Sequence, residues 1–339
     1  MENKQRKTKK EKVLPGTPLI IGGIVLLLIS AVLNICVGAS GLSLGKLLVA
    51  LFQGPGTTTA QRILWYVRLP RTAACLLAGA GLAMSGTIIQ KVLSNNLASP
   101  GTIGVNAGAG FAVAICCGLG IYTSWTIAGA SFLGALGATF LVVSVGRKAH
   151  ASKTTVVLGG VAVTAFLNAM TETVITFVPD AALSSRDFRV GGFSAVNQAR
   201  LLPAAILIIG SIIVVTSLAN ELDVLSLGDD TAKSLGMNVS MVRNGLLTLA
   251  ALLAGACVSF AGILGFVGLI VPHMARRLIG NESGKLLPFA VLLGASFVSI
   301  CDLIARMIFA PFELPTGILM SFLGGPFFIW LLRKKKGGL

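Results

Sequence analysis

Ionisable side chains are scarce here, so each one inside an apolar run is a candidate for chemistry. Glu172 sits in the stretch FLNAMTETVITFV (166–178). A lone charge at mid-membrane costs about 3 kcal/mol on insertion scales. Glu172 is therefore expected either to line a polar pathway together with Asn168, or to lie near the outer end, hydrogen-bonded to Asn168 or to neighbouring threonines. Asp302 and Arg306 are four residues apart and so adjacent on a helix, which favours a structural pair. Arg68 and Arg71 flank a proline in RLPR. Their guanidinium forks suit carboxylates, although interface anchoring or helix capping would use them equally well. Cys36, Cys75, Cys116, Cys117, Cys257 and Cys301 all lie in apolar runs without CxxC or metal-ligand spacing, as reduced packing residues do. His150 and His273 have no ligand-type companions, so no metal site is expected; a structural or gating role suits His273. No GxxxxGK[ST] loop is present. The nearest approach, GLSLGKL at 41–47, has the wrong spacing for converging amides on phosphates. No nucleophile elbow or clustered acid pair stands out either. Any work this chain does must draw on a partner or on an ion gradient, and two embedded acids give thin support for the gradient.

The elements that position these residues are membrane helices. Of 339 residues 55% are hydrophobic and 12% charged, half the charge of a typical soluble domain. The apolar runs are long and continuous rather than alternating, which selects helices over a barrel. Ten spans are expected, near 19–37, 68–91, 103–120, 124–146, 154–178, 200–220, 243–261, 263–279, 287–307 and 315–332, the first retained rather than cleaved. With both termini cytoplasmic, nineteen lysines and arginines fall inside and eight outside, the bias that orients membrane proteins. The basic surplus (net charge +15) is thus a topological signal with a possible role at anionic lipid, and calls for no nucleic acid. The chain divides into a basic tail (1–17), a transmembrane domain (18–334) and a short C-terminal tail (335–339). Gly79-Ala80-Gly81-Leu82 and Ser85-Gly86 are echoed by Gly255-Ala256-Cys257-Val258 and Ala261-Gly262, a faint hint of an inverted repeat.

One polar segment interrupts the spans on the cytoplasmic side, residues 221–240. In LDVLSLGDDTAKSLGMNV (222–239), Asp229 or Asp230 can cap a helix start. Lys233 follows Asp229 by four residues, and Gly236 can end the helix in a left-handed cap. Ala232 and Leu235 then share one face, with Leu225, Leu227 and Gly228 just upstream. Such a helix suits a partner's groove; a solvated connector folded back on the bundle is the alternative.

That segment resembles the cytoplasmic loop of the FecCD family, permease subunits of ABC importers for ferric siderophores, haem and cobalamin. VRLPRTAACLLAGAGLAMSGTIIQKVLSNNLASPGTIGVNAGAG (67–110), AGILGFVGLIVPHMARRLIG (261–280) and CDLIARMIFAPFELPTGILMSFLGGPFFIWLLRK (301–334) resemble further family blocks. The chain departs from them at Asn96, where proline is usual, at Ser321, near the usual alanine, and at 191–195, where the usual Trp-Gly-Ser lead-in is missing.

The resemblance implies an all-α, vitamin B12 importer-type (type II) ABC permease fold of ten transmembrane helices. It implies a second permease subunit, identical or not, two cytoplasmic ABC ATPases carrying ATP and Mg, and an extracytoplasmic substrate-binding protein. The chain itself would bind no cofactor. Leu225, Leu227, Gly228, Asp229, Asp230, Ala232, Lys233, Leu235 and Gly236 would couple to an ATPase; Arg68, Arg71 and Arg306 would receive the binding protein; Asn168 and Glu172 fall in the path-lining region. Ferric siderophore is the expected cargo, haem or cobalamin the alternative within the family, and an ion-coupled carrier the alternative outside it.

Overall fold

The computed structural model describes residues 16–38, 43–148, 153–196 and 198–336. Most of the basic tail, His150 and the last three residues lie outside them. The described residues form helices and no strand. In chain order these are α1 (Gly16–Cys36), α2 (Leu44–Gln53), α3 (Thr59–Ile63), α4 (Leu69–Val92), α5 (Val105–Gly118), α6 (Ser124–Lys148), α7 (Lys153–Phe177), α8 (Pro179–Val190), α9 (Gln198–Ser217), α10 (Ala219–Ser226), α11 (Asp229–Ser234), α12 (Val239–Ala261), α13 (Val267–Ile279), α14 (Ser283–Met307) and α15 (Thr316–Lys336). A π-helical turn, Leu64–Arg68, feeds α4, and a 3-10 turn, Pro100–Ile103, precedes α5.

Each expected span overlaps a helix, but the helices are unequal in length. Among the described residues seven helical runs are long and apolar enough to cross a bilayer, and Val105–Gly118 and Thr316–Leu331 are shorter apolar helices. With 14 and 13 residues, α5 and α13 extend only about 20 Å, short of a ~30 Å hydrocarbon core. Each is flanked by irregular chain, 93–104 and 262–266, much of it buried: Ala98, Ile103 and Leu264 are in the core. Non-helical backbone is tolerated at membrane depth when protein covers it.

Helix α4 is the axis of the molecule. Most of its length is buried, and it packs against α9, α12, α13 and α14. The α4–α14 crossing is set by glycine on both sides: a Cβ on Gly79 would overlap the Gly294 carbonyl, and one on Gly294 the Gly79 carbonyl. Gly108 and Gly134 do the same for α5 and α6. Lipid offers no hydrophobic incentive for helices to associate, so close backbone approach is what small residues contribute. By contrast α1, α7 and α9 leave most of their surface outside the fold.

The sequence echo has a structural counterpart. A long, a short and a long helix occur twice: α4, α5, α6 and α12, α13, α14. Each short helix is entered through a left-handed residue, Gly104 (φ +85°) and Phe266 (φ +66°).

Candidate functional site

At the end of the bundle where α4 begins, polar groups form a buried network. Arg71, in the first turn of α4, donates from Nη2 and Nε to the Asp302 carboxylate of α14 at 3.0 and 3.1 Å. Arg306 Nε lies 3.2 Å from Asp302 Oδ2, so the pair expected from four-residue spacing is present. Thr316 Oγ1 donates to Asp302 at 2.9 Å. Arg306 also donates to the Asn34 side chain at 2.8 Å, and Asn34 in turn donates to the Ser299 carbonyl at 2.9 Å. Asp302 is fully buried. Two cations around one buried carboxylate are balanced by Glu313, whose half-exposed side chain accepts from Arg71 Nη1 at 2.7 Å.

Arg68 donates to the Ile35 and Cys36 carbonyls at 2.6 and 2.8 Å. A guanidinium there meets the free carbonyls and negative dipole end of α1, the capping use of this residue. The three arginines expected to receive the binding protein are therefore all buried in the isolated subunit, held by acids and carbonyls of which spacing reveals only the Asp302–Arg306 contact.

The polar segment lies at the opposite end and differs from the single capped helix expected. Two short helices, α10 and α11, meet at Leu227 and Gly228, where the glycine adopts φ +112°. Neither Asp229 nor Asp230 caps: Gly228 holds the N-cap position and the acids occupy the first turn. Asp229 pairs with Arg243 of α12 instead of Lys233, which stands 3.9 Å from Asp230. Gly236 does end the helix left-handed, at φ +84°. Its N–H donates to Lys233 O at 2.9 Å and that of Met237 to Ala232 O at 3.0 Å, a Schellman closure. Ala232 and Leu235 do not share a face. Leu225 and Ala232 are fully buried, whereas Leu227 and Leu235 remain 65% and 64% exposed. The hairpin thus grips the bundle with one pair of residues and presents the other.

A second polar cluster sits directly behind that hairpin. The Asp223 carboxylate, on α10, accepts from Lys91 Nζ in the last turn of α4. It also accepts from the Ser283 amide at 3.0 Å and the Ser283 hydroxyl at 2.8 Å, at the first residue of α14. Burial alone would push the Asp223 carboxyl up; hydrogen bonds from Lys91 and Ser283, with the lysine's charge, hold it below its ordinary 3.8. Its stabilising contribution is therefore present above that value and fades as pH falls through the lower folded one. None of Asp223, Lys91, Ser283, Asn34 and Glu313 was expected as a site residue. Only Asn34 and Lys91 carried a signal, as polar residues embedded in or closing an apolar run.

On α7, Asn168 and Glu172 lie on the exposed face. The Glu172 carboxylate accepts from Arg189 of α8 at 2.9 Å rather than from Asn168, and the one threonine contact, from Thr176 Oγ1 at 2.7 Å, goes to its backbone carbonyl. His273 packs edge-on against Phe327, ring centroids 5.8 Å apart. All six cysteines are free thiols, and no group of three or more metal-type ligands occurs among the described residues.

A polytopic helical bundle with a helical hairpin at one end and polar clusters bracing its axis is the build of an integral membrane protein. Residues 26–334 match the FecCD transport family, and the chain belongs to that family of ABC permease subunits. It is 37% identical to the iron(3+)-hydroxamate import system permease protein FhuB of Bacillus subtilis, over 95% of this chain and 84% of that one. It is 34% identical to the hemin transport system permease protein HmuU of Yersinia pestis and to the vitamin B12 import system permease protein BtuC of Shigella boydii, in each case over 92% of this chain and 94% of the relative. Among solved structures, a metal-chelate type ABC transporter in an inward-facing conformation superposes with a TM-score of 0.84 at 29% identity, covering 94% of this chain and 99% of that one.

Proposed function

We propose that this chain carries ferric siderophores through the cytoplasmic membrane as one of two permease subunits of a binding-protein-dependent ABC importer. It spans the membrane ten times with both termini inside. Two cytoplasmic ATPases, which hold the ATP and Mg, drive it, and an extracytoplasmic binding protein delivers the cargo. The observation that carries this reading is the hairpin: Leu227 and Leu235 are presented on a backbone pinned by Leu225 and Ala232. A pinned helix transmits displacement from a partner, where a loose linker would absorb it. Of the relatives named above, the hydroxamate permease has the highest identity, which favours siderophore over haem or cobalamin.

The test is reconstitution in liposomes with the cognate ATPase and binding protein. Ferric hydroxamate should accumulate only when ATP is supplied to the ATPase side. Accumulation by the permease alone on a proton or sodium gradient would make it a secondary carrier, and ATP-driven uptake of haem or cobalamin in its place would reassign the cargo.

Docking of the binding protein falls on the outer end around Arg68, Arg71 and Arg306, and Asn168 and Glu172 line the path between the two permeases. In that frame Glu313 competes with an incoming carboxylate for Arg71. Glu313→Gln should therefore strengthen docking, by about two- to fivefold at low salt, with the gain shrinking as salt screens the charges. Titration of the binding protein onto the permease at two ionic strengths checks this; equal affinity for both forms counts against Arg71 as a receptor.

A further inference from the structure

The same two helices are fastened to each other at both ends of the molecule. At one end Arg71 of α4 grips Asp302 of α14. At mid-length the two backbones touch at Gly79 and Gly294. At the other end Lys91 closes α4, Ser283 opens α14, and both donate to one carboxylate, Asp223, which belongs to neither helix. Lys91 also donates to the Ser283 hydroxyl, so the three groups form a closed triangle. Lys91 and Ser283 are buried.

The remaining attachments of the hairpin differ in kind. Leu222, Leu225 and Ala232 anchor it through apolar packing, which is non-directional and resists sliding weakly. The Asp229–Arg243 pair ties it to α12. Asp223 alone joins it by directional, charge-assisted bonds to α4 and α14 together. A helix of 24 residues is about 36 Å long, so α4 carries a displacement from the hairpin to the Arg71 network without an intervening joint.

We propose that Asp223 is a positioning residue for energy coupling: it locks the 219–236 hairpin to a two-helix strut, α4–α14, that moves as one body between the ATPase face and the binding-protein face. This rests on the hairpin being the ATPase-facing element. Because coupling between two sites is reciprocal, the strut also carries the presence of docked binding protein inward to the ATPase.

The test uses the complete complex in liposomes, with ferric hydroxamate as cargo, and compares wild type with Asp223→Asn, Ser283→Ala and Lys91→Arg. The reported ratio is cargo moved per ATP hydrolysed, alongside the stimulation of hydrolysis by added binding protein. Asp223→Asn should still bind its ATPase and hydrolyse ATP, but the ratio should fall about tenfold, within the usual range of site-to-site coupling, and stimulation should be lost. Lys91→Arg, which keeps the charge and the reach, should retain both. A merely structural role would lower yield and melting temperature without changing the ratio in the molecules that assemble. Should Asp223→Asn fail to assemble, Ser283→Ala decides, since it removes one donor and leaves the ion pair: a lowered ratio supports the strut. An unchanged ratio in the assembled variants overturns it while leaving the transport function standing, whereas a wild-type complex without ATP-dependent uptake overturns both.

Discussion

Asp302→Ala is expected to leave no folded permease to purify. The carboxylate is fully buried and accepts from Arg71, with Arg306 and Thr316 completing its shell. Its removal strands two guanidinium groups in a largely buried site. Arg71 would keep only Glu313, and Arg306 would keep only Asn34 and neighbouring carbonyls. Breaking one side of a buried pair costs about 3–5 kcal/mol, against a total stability of about 5–15 kcal/mol for typical proteins. Here two cations lose the same partner, and Arg68 stands nearby as a third. Asp302→Asn, which keeps an acceptor oxygen but loses the charge, should be damaged less. The comparison is made by yield and thermal unfolding in detergent. If Asp302→Ala melts with the wild type, the network is decoration and the bracing of α4 against α14 lies elsewhere.

Which features could be read from residues alone follows from how local their causes are. The long spans were legible because twenty apolar residues in a row leave a chain little choice. The Asp302–Arg306 pair was legible because both residues share one helix. Helix α8 was missed although its signs are local too: Pro179 at the first position and Asp180 in the first turn mark a helix start. The apolar pattern does not show it, because 179–190 is polar and lies between two expected spans. Helix α2 carries no span signal, because its ten residues are too few to cross a bilayer.

The polar clusters belong to a different class. Arg71 meets Asp302 across 231 residues and Lys91 meets Asp223 across 132; no spacing rule connects such positions, because the packing of α4 against α10 and α14 creates the neighbourhood. The same cause undid the Asp229–Lys233 pair. Spacing on one helix allowed it, but Arg243 arrives from α12 and takes the acid. The hairpin's single apolar stripe failed for a related reason. Leu227 and Leu235 are the C-cap residues of α10 and α11, each past its helix's last regular turn, and burial sorts Leu225 with Ala232 and Leu227 with Leu235.

That sorting makes the second large prediction a sharp one. Leu227→Glu with Leu235→Glu should abolish ATP-dependent uptake in a permease that is otherwise normally folded. Both side chains are mostly exposed, so the fold loses almost nothing when they become charged. In a partner's groove the same change buries two unpaired carboxylates. Truncating a contact at the centre of an interface costs about 2 kcal/mol where that contact is a hot spot, and burying a charge without a partner costs further. Two such positions should weaken ATPase binding about a hundredfold or more, with uptake falling in proportion. Leu225→Glu, only two residues from Leu227, should act in the opposite sense: its side chain is fully buried, so it should destabilise the bundle itself. Co-purification of the ATPase with each variant, read beside its thermal unfolding, separates the two outcomes. If the exposed pair tolerates glutamate with full ATPase binding, the hairpin is not the seat of the motor, and the lever must be sought at another cytoplasmic turn.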